Sequence, residues 1–223
     1  MNNVLKTGFT LAEVLITLAI IGVIAAITIP ALQNKINKEE LVVGLKKAYA
    51  TMGQISYKFI AENGSVAAAL SNVTTDKDFA NIFASKLNIR KNCAAGDTGC
   101  FSSGYLTLSQ SSTGDDPNWR GTLLTNDNMS YSFYLWDKNC NRDIGDTGNT
   151  LSPLYKACGQ IAVDVNGPNK GPATYGRDLF VFWLPQKGVY PRGSYNEGYY
   201  GFDCTSLGTS CASKVLKEGA MNY

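Results

Sequence analysis

The sequence predicts an α+β protein, a long N-terminal α-helix packed on a small antiparallel β-sheet domain. Three observations predict it. An apolar run extends from Leu11 to Leu32. Apolar residues at helical spacing then continue as far as Phe59. Beyond about residue 105, β-branched and aromatic runs alternate with Gly, Asn and Asp turns, the pattern of short strands. A chain of 223 residues accommodates one membrane or filament segment and one globular domain.

The first element is the run "LKTGFTLAEVLITLAIIGVIAAITIPALQ". From Leu11 to Leu32 it carries one charge, Glu13. At about 1.5 Å per residue it spans roughly 33 Å, enough for a bilayer core. Lys6 and the α-amino group precede it, which keeps the start cytoplasmic. A secretory signal peptide fits poorly, because the basic region is short, the apolar run is long and no A-x-A site follows. A plain single-span anchor accounts for everything except Glu13. A lone carboxylate in a membrane helix is costly and needs a partner. A catalytic acid would need a second titratable group nearby, and the run has none.

After Pro30 the helix is expected to resume and to run amphipathically over residues 33–62. Leu32, Ile36, Leu41, Leu45, Ala48, Met52, Ile55 and Phe59 mark its apolar stripe. Lys35, Lys38, Glu39, Lys46 and Lys47 lie largely elsewhere around it. Gly44, Gly53 and Gly64 weaken it, and "ENGS" at 62–65 ends it. A second helix is expected from Asp76 to Leu87. "SYSFYLWD" (130–137), "GQIAVDV" (159–165) and "DLFVFWLP" (178–185) are the expected strands. Residues 109–121 and 140–153 read as surface loops.

Composition excludes several functions. Net charge is +2 with no basic block, so a broad nucleic-acid footprint is unsupported. The chain has no histidine. That removes Ser-His-Asp triads, Cys-His dyads and His-ligated metals. The six cysteines, Cys93, Cys100, Cys140, Cys158, Cys204 and Cys211, all follow the apolar run and form no C-x-x-C pair. They read as disulfides in an oxidising compartment. Locality favours Cys93 with Cys100, Cys204 with Cys211, and hence Cys140 with Cys158. Pairs that cross between loops, or a reduced first or last pair, remain the rival scheme.

The residues "GFTLAEVLITLAIIGVIAAITIPAL" resemble the processing site and N-terminal helix of type IV pilins and of type II secretion pseudopilins. Gly8, Phe9, Glu13 and Pro30 agree with that family in type and in spacing. Ala12 stands where a larger aliphatic residue is common. The resemblance implies a pilin-like fold and a structural subunit rather than an enzyme. It divides the chain into a leader (1–8), a transmembrane and polymerisation half-helix (9–32) and a globular domain (33–223). A prepilin peptidase would cut after Gly8, and Phe9 would be methylated. Glu13 would pair with the Phe9 ammonium of another subunit, and the helix would bend or partly melt near Pro30 in the fibre. The implied location is the bacterial inner membrane, single-pass with the domain outside the cytoplasm, and then an extracytoplasmic filament. The implied partners are other pilins, an inner-membrane assembly platform and a cytoplasmic ATPase, with no nucleic acid. A minor or tip subunit that binds a surface, a secreted protein or DNA is the alternative. "DVNGPNKGPATYGRDLF" and "SCASKVLKEGAMNY" resemble later segments of proteins with this N-terminus, the second placing a Cys before a short terminal element.

Three further groups complete the candidates. Asp137, Asn139, Asn141 and Asp143 alternate like half of a calcium loop. Arg142 and Gly148 replace the glycine and the acidic endpoint that an EF-hand needs. Asp164, Asn166 and Asp178 surround a glycine-rich turn that also lacks the acidic endpoint. Turn chemistry accounts for both groups. No cofactor is expected, with calcium the one candidate. Tyr190, Tyr195, Tyr199 and Tyr200 are a candidate glycan- or surface-binding patch.

Overall fold

The computed structural model describes residue 8 and residues 10–102, 104–112, 120–145, 148–195, 197 and 204–223. Phe9, Tyr199, Tyr200 and most of the leader lie outside the described residues, as do 113–119 and 146–147 of the two expected loops. The chain divides into two units, Met1–Glu39 and Glu40–Tyr223.

The first helix, α1, runs from Leu11 to Asn63 with Pro30 inside it. Proline has no N–H to donate to the Ala26 carbonyl, yet helical geometry continues on both sides. The Thr28 hydroxyl bonds the Ile24 carbonyl one turn earlier, at 2.9 Å. Gly64 ends the helix at φ +83°. Its N–H bonds the Ile60 carbonyl at 2.8 Å, a left-handed cap that glycine adopts without a Cβ penalty.

In the N-terminal unit the apolar side chains of α1 are exposed, Leu32 and Ile36 among them. The sequence stripe placed these two in the core. The buried stripe instead starts at Val42 and continues through Leu45, Ala48, Met52, Ile55 and Phe59. Leu41 is only partly buried. The stripe's partner in the second unit is the sheet, so its start is set by where that sheet lies.

Short helices α2 (Val66–Ala69) and α3 (Asp76–Ala84) follow. The α3 helix ends three residues before the expected Leu87. Its start is a capping box. Thr75 Oγ1 accepts the Asp78 N–H at 3.0 Å, and Asp78 Oδ2 accepts the Thr75 N–H at 3.0 Å. Asp76 Oδ1 also accepts the Leu135 N–H at 2.7 Å, which ties this helix start to a strand end.

The strands are β1 (Ile89–Cys93), β2 (Tyr105–Leu106), β3 (Gly121–Thr125), β4 (Ser130–Leu135), β5 (Ala157–Asp164), β6 (Ala173–Thr174), β7 (Leu179–Pro185) and β8 (Tyr190–Pro191). Six form one antiparallel sheet in the order β1-β3-β4-β5-β7-β8. β2 and β6 form a separate parallel pair. The fold is therefore α+β with a mostly antiparallel sheet. The expected strands correspond to β4, β5 and β7, and the segments at 89–93 and 121–125 are strands that the sequence pattern did not announce.

Alternation along β5 and β7 separates two cores. Ile161, Val163, Phe180 and Phe182 join α1 and α3 in the main cluster. Ala162, Leu179 and Val181 pack with Phe101, Tyr105, Ala173 and Tyr175 in a second. Both faces of β7 are covered, so every one of its residues is buried, which explains its continuous apolar run. Phe59, Phe79, Phe83 and Phe133 meet at the centre, with ring centroids 4.9–5.5 Å apart, the spacing that aromatic pairs prefer.

Disulfides join Cys93 to Cys100, Cys140 to Cys158 and Cys204 to Cys211. The last ends on the first residue of α4 (Cys211–Glu218), which Gly219 ends in the left-handed region at φ +68°.

Candidate functional site

The N-terminal half of α1 carries the first candidate. Leu11–Pro30 is long and apolar enough to cross a membrane, and none of it is buried. Thr10 and Glu13 start it with a capping box of their own. Glu13 Oε2 accepts the Thr10 N–H at 2.8 Å and the Thr10 hydroxyl at 2.7 Å. Thr10 Oγ1 accepts the Glu13 N–H at 3.2 Å. The first turn of a helix leaves N–H groups without intrahelical partners, and this exchange satisfies two. The carboxylate therefore has partners within its own chain. Sequence reasoning missed this role, although "TLAE" has the T-x-x-E spacing that signals it. Gly8 is exposed, and a Cβ built on it would meet nothing within 4 Å.

The first group of acidic candidates is spent on turns. Asp137 accepts the N–H groups of Asn139 at 2.8 Å and Asn141 at 3.1 Å. Asp143 accepts those of Gly145 at 3.1 Å and Gly148 at 2.9 Å. These are side-chain to backbone bonds of the kind that shape loops.

The second group is buried and linked. Asp164 and Asp178 are both fully buried. Asp164 Oδ1 accepts the N–H groups of Asn166 at 3.2 Å and Gly167 at 3.0 Å, and the Ser102 hydroxyl donates to Oδ2 at 3.2 Å. Asp178 accepts the Thr174 N–H and lies 2.8 Å from Arg177 Nη2. Asn166 Nδ2 reaches Asp178 at 3.4 Å. Burial, then the charge of Asp178, pushes the Asp164 carboxyl up to about 6, against the opposing hydrogen bonds. Arg177 lies beside Asp178 and offsets its charge. Among the described residues, no group of three or more His, Cys, Asp or Glu side chains is placed to hold a metal ion.

Tyr190 and Tyr195 meet edge to face, with centroids 5.7 Å apart. Tyr49 and Tyr57 of α1 join them, although neither was a sequence candidate. Only the fold places a helix beside β8.

Residues 5–29 match the family model of the prokaryotic N-terminal methylation motif, the signature of type IV pilins and pseudopilins. No solved structure matches the chain. The motif supports a pilin-like or pseudopilin subunit in general, a structural class rather than a catalytic one. Its presence implies processing by a prepilin peptidase and assembly with other pilins. Together with the one membrane-length apolar helix among the described residues, it fits a membrane-anchored pilin.

Proposed function

We propose that the chain is a structural subunit of a type IV pilus-like or type II secretion pseudopilus filament. The observation that carries this reading is Glu13, the one charge in an exposed apolar helix that begins just after the Gly8 junction. Cleavage after Gly8 creates a free amine at Phe9, which is then methylated. In the fibre, the Glu13 carboxylate of one subunit meets the Phe9 ammonium of another. At any other axial stagger both charges stay unpaired among apolar side chains, which is strongly unfavourable. Glu13 thereby sets the register, and the rest of the apolar surface supplies adhesion. The second unit decorates the fibre, and a cytoplasmic ATPase acting through a membrane platform drives assembly. This reading invokes no cofactor.

Intact mass spectrometry of the protein from its native membrane tests the proposal. The expected mass is that of a chain starting at Phe9 with one added methyl group. A chain that still begins at Met1, or one cut after Ala25, would refute it. A minor or tip subunit is the second reading, favoured by the exposed Tyr57 and Tyr195 side chains. Abundance in purified fibres separates the two, because a tip subunit is scarce.

A further inference from the structure

Four tyrosines from three parts of the second unit converge on one face. Tyr49 is held against the sheet by stacking on Phe182, with centroids 5.8 Å apart. Tyr57 follows two turns later on α1 and is 70% exposed. Tyr190 comes from β8, and Tyr195 from the turn beyond it. Burial raises the Tyr190 phenol, and the neighbouring phenols of Tyr195, Tyr57 and Tyr49 add to the shift.

Two concavities meet here. One of about 270 Å³ lies between Tyr49, Tyr57, Lys187 and Tyr190. Another of about 500 Å³ is bounded by Tyr155, Lys156, Lys187 and Tyr190. Lys187 and Tyr190 line both, so the two concavities adjoin across these side chains in one grooved face. Its described lining contains Lys156 and Lys187, both exposed, and no Asp or Glu. Gln54, Ser152 and Gln186 add amide and hydroxyl groups.

We propose that this groove binds an acidic carbohydrate, a chain of sugars bearing carboxylates. Each element of the lining has a counterpart in that ligand. Phenol rings are rigid and amphipathic, and they cover the apolar faces of sugar rings while their hydroxyls meet sugar hydroxyls. Lys156 and Lys187 supply charge-assisted hydrogen bonds to carboxylates. Single-stranded nucleic acid would also stack on tyrosine, but it binds through many phosphate contacts, and two lysines supply few. This inference goes beyond the filament assignment and does not depend on it.

Calorimetric titration of the full chain in detergent tests the proposal, with oligogalacturonate as the probe. Malto-oligosaccharide and oligothymidylate serve as neutral and nucleic-acid comparators. Oligogalacturonate is expected to bind, more weakly as salt rises. Tyr57→Ser and Lys187→Gln are each expected to weaken it about tenfold, with circular dichroism unchanged because both side chains are exposed. Four results would overturn the proposal: no oligogalacturonate binding, equal binding of malto-oligosaccharide, tighter binding of oligothymidylate, or undiminished binding by both variants. Self-association of the wild type that Tyr57→Ser abolishes would also overturn it, by assigning the groove to a second copy of the chain.

Discussion

Glu13 holds both donors of Thr10, its N–H and its hydroxyl, on the single oxygen Oε2. The capped state and the proposed fibre contact are therefore compatible, since an incoming ammonium can approach Oε1. They are also separable by mutation. Glu13→Gln retains an oxygen for the cap but removes the charge, and Glu13→Ala removes both. We expect both variants to lose fibre incorporation sharply. Only the Ala variant should show faster amide exchange in the first turn of α1. Wild-type assembly by Glu13→Gln would show that the cap, not the charge, is what assembly needs.

Asp164 makes stability depend on pH in a defined direction. Its carboxyl titrates at about 6 in the folded chain, against an ordinary 3.8. A raised folded value means that its contribution is fully present below about pH 4 and is lost as pH rises through 6. Asn at this position keeps an acceptor for Asn166 and Gly167, and its amide can donate to Ser102. Relative to wild type, Asp164→Asn is expected to gain about 3 kcal/mol above pH 6 and little below pH 4. Denaturant unfolding across this range measures the difference. A difference that does not change with pH would show that Asp164 does not titrate there.

Two glycines should respond oppositely to alanine. A Cβ on Gly121 would stand 2.2 Å from the Asp76 carbonyl oxygen, where β3 runs under the start of α3. Gly121→Ala is expected to cost about 1–3 kcal/mol, because the helix must move. A Cβ on Gly53 would meet nothing within 4 Å. Gly53→Ala is expected to stabilise by about 0.5–1 kcal/mol through helix propensity alone. Urea denaturation of both variants tests the packing of α3 and the helicity of α1 together.

The Cys140–Cys158 disulfide closes the segment between β4 and β5. Replacing both cysteines by alanine is expected to cost about 2–4 kcal/mol, mainly by freeing the unfolded chain. Non-reducing peptide mapping of the wild type should return three bonds, each between neighbouring cysteines. A peptide linking the 93–100 region to the 204–211 region would overturn this pairing.

A fragment starting at Gln33 contains the whole of the second unit, Glu40–Tyr223. It lacks the exposed apolar segment, and we expect a soluble, folded monomer when it is produced under oxidising conditions. Aggregation measured by light scattering would argue that residues before Gln33 complete the core.

Local chemistry made much of this legible in the sequence. The membrane-length helix follows from an uninterrupted apolar run, and the place of Glu13 in it from charge alone. β4, β5 and β7 follow from β-branched and aromatic density, and the end of α1 from Asn63-Gly64. Each of these depends on residues near in the chain, so a linear pattern carries it.

Tertiary contact decided the rest. β1 is "IRKNC", whose central residues are exposed. No alternation marks it, because it is an edge strand whose conformation comes from hydrogen bonds to β3. Leu32 and Ile36 continue the apolar stripe of α1 yet stay exposed, because burial depends on a partner surface and not on spacing. Asp164 has an ordinary carboxyl in sequence. Its shift arises from burial beside Asp178, which lies near it only after β5 and β7 pair. The tyrosine groove likewise needs α1, the segment before β5 and β8 on one face. Burial, electrostatic coupling and concavity all belong to residues distant in the chain, and only the folded arrangement brings those residues together.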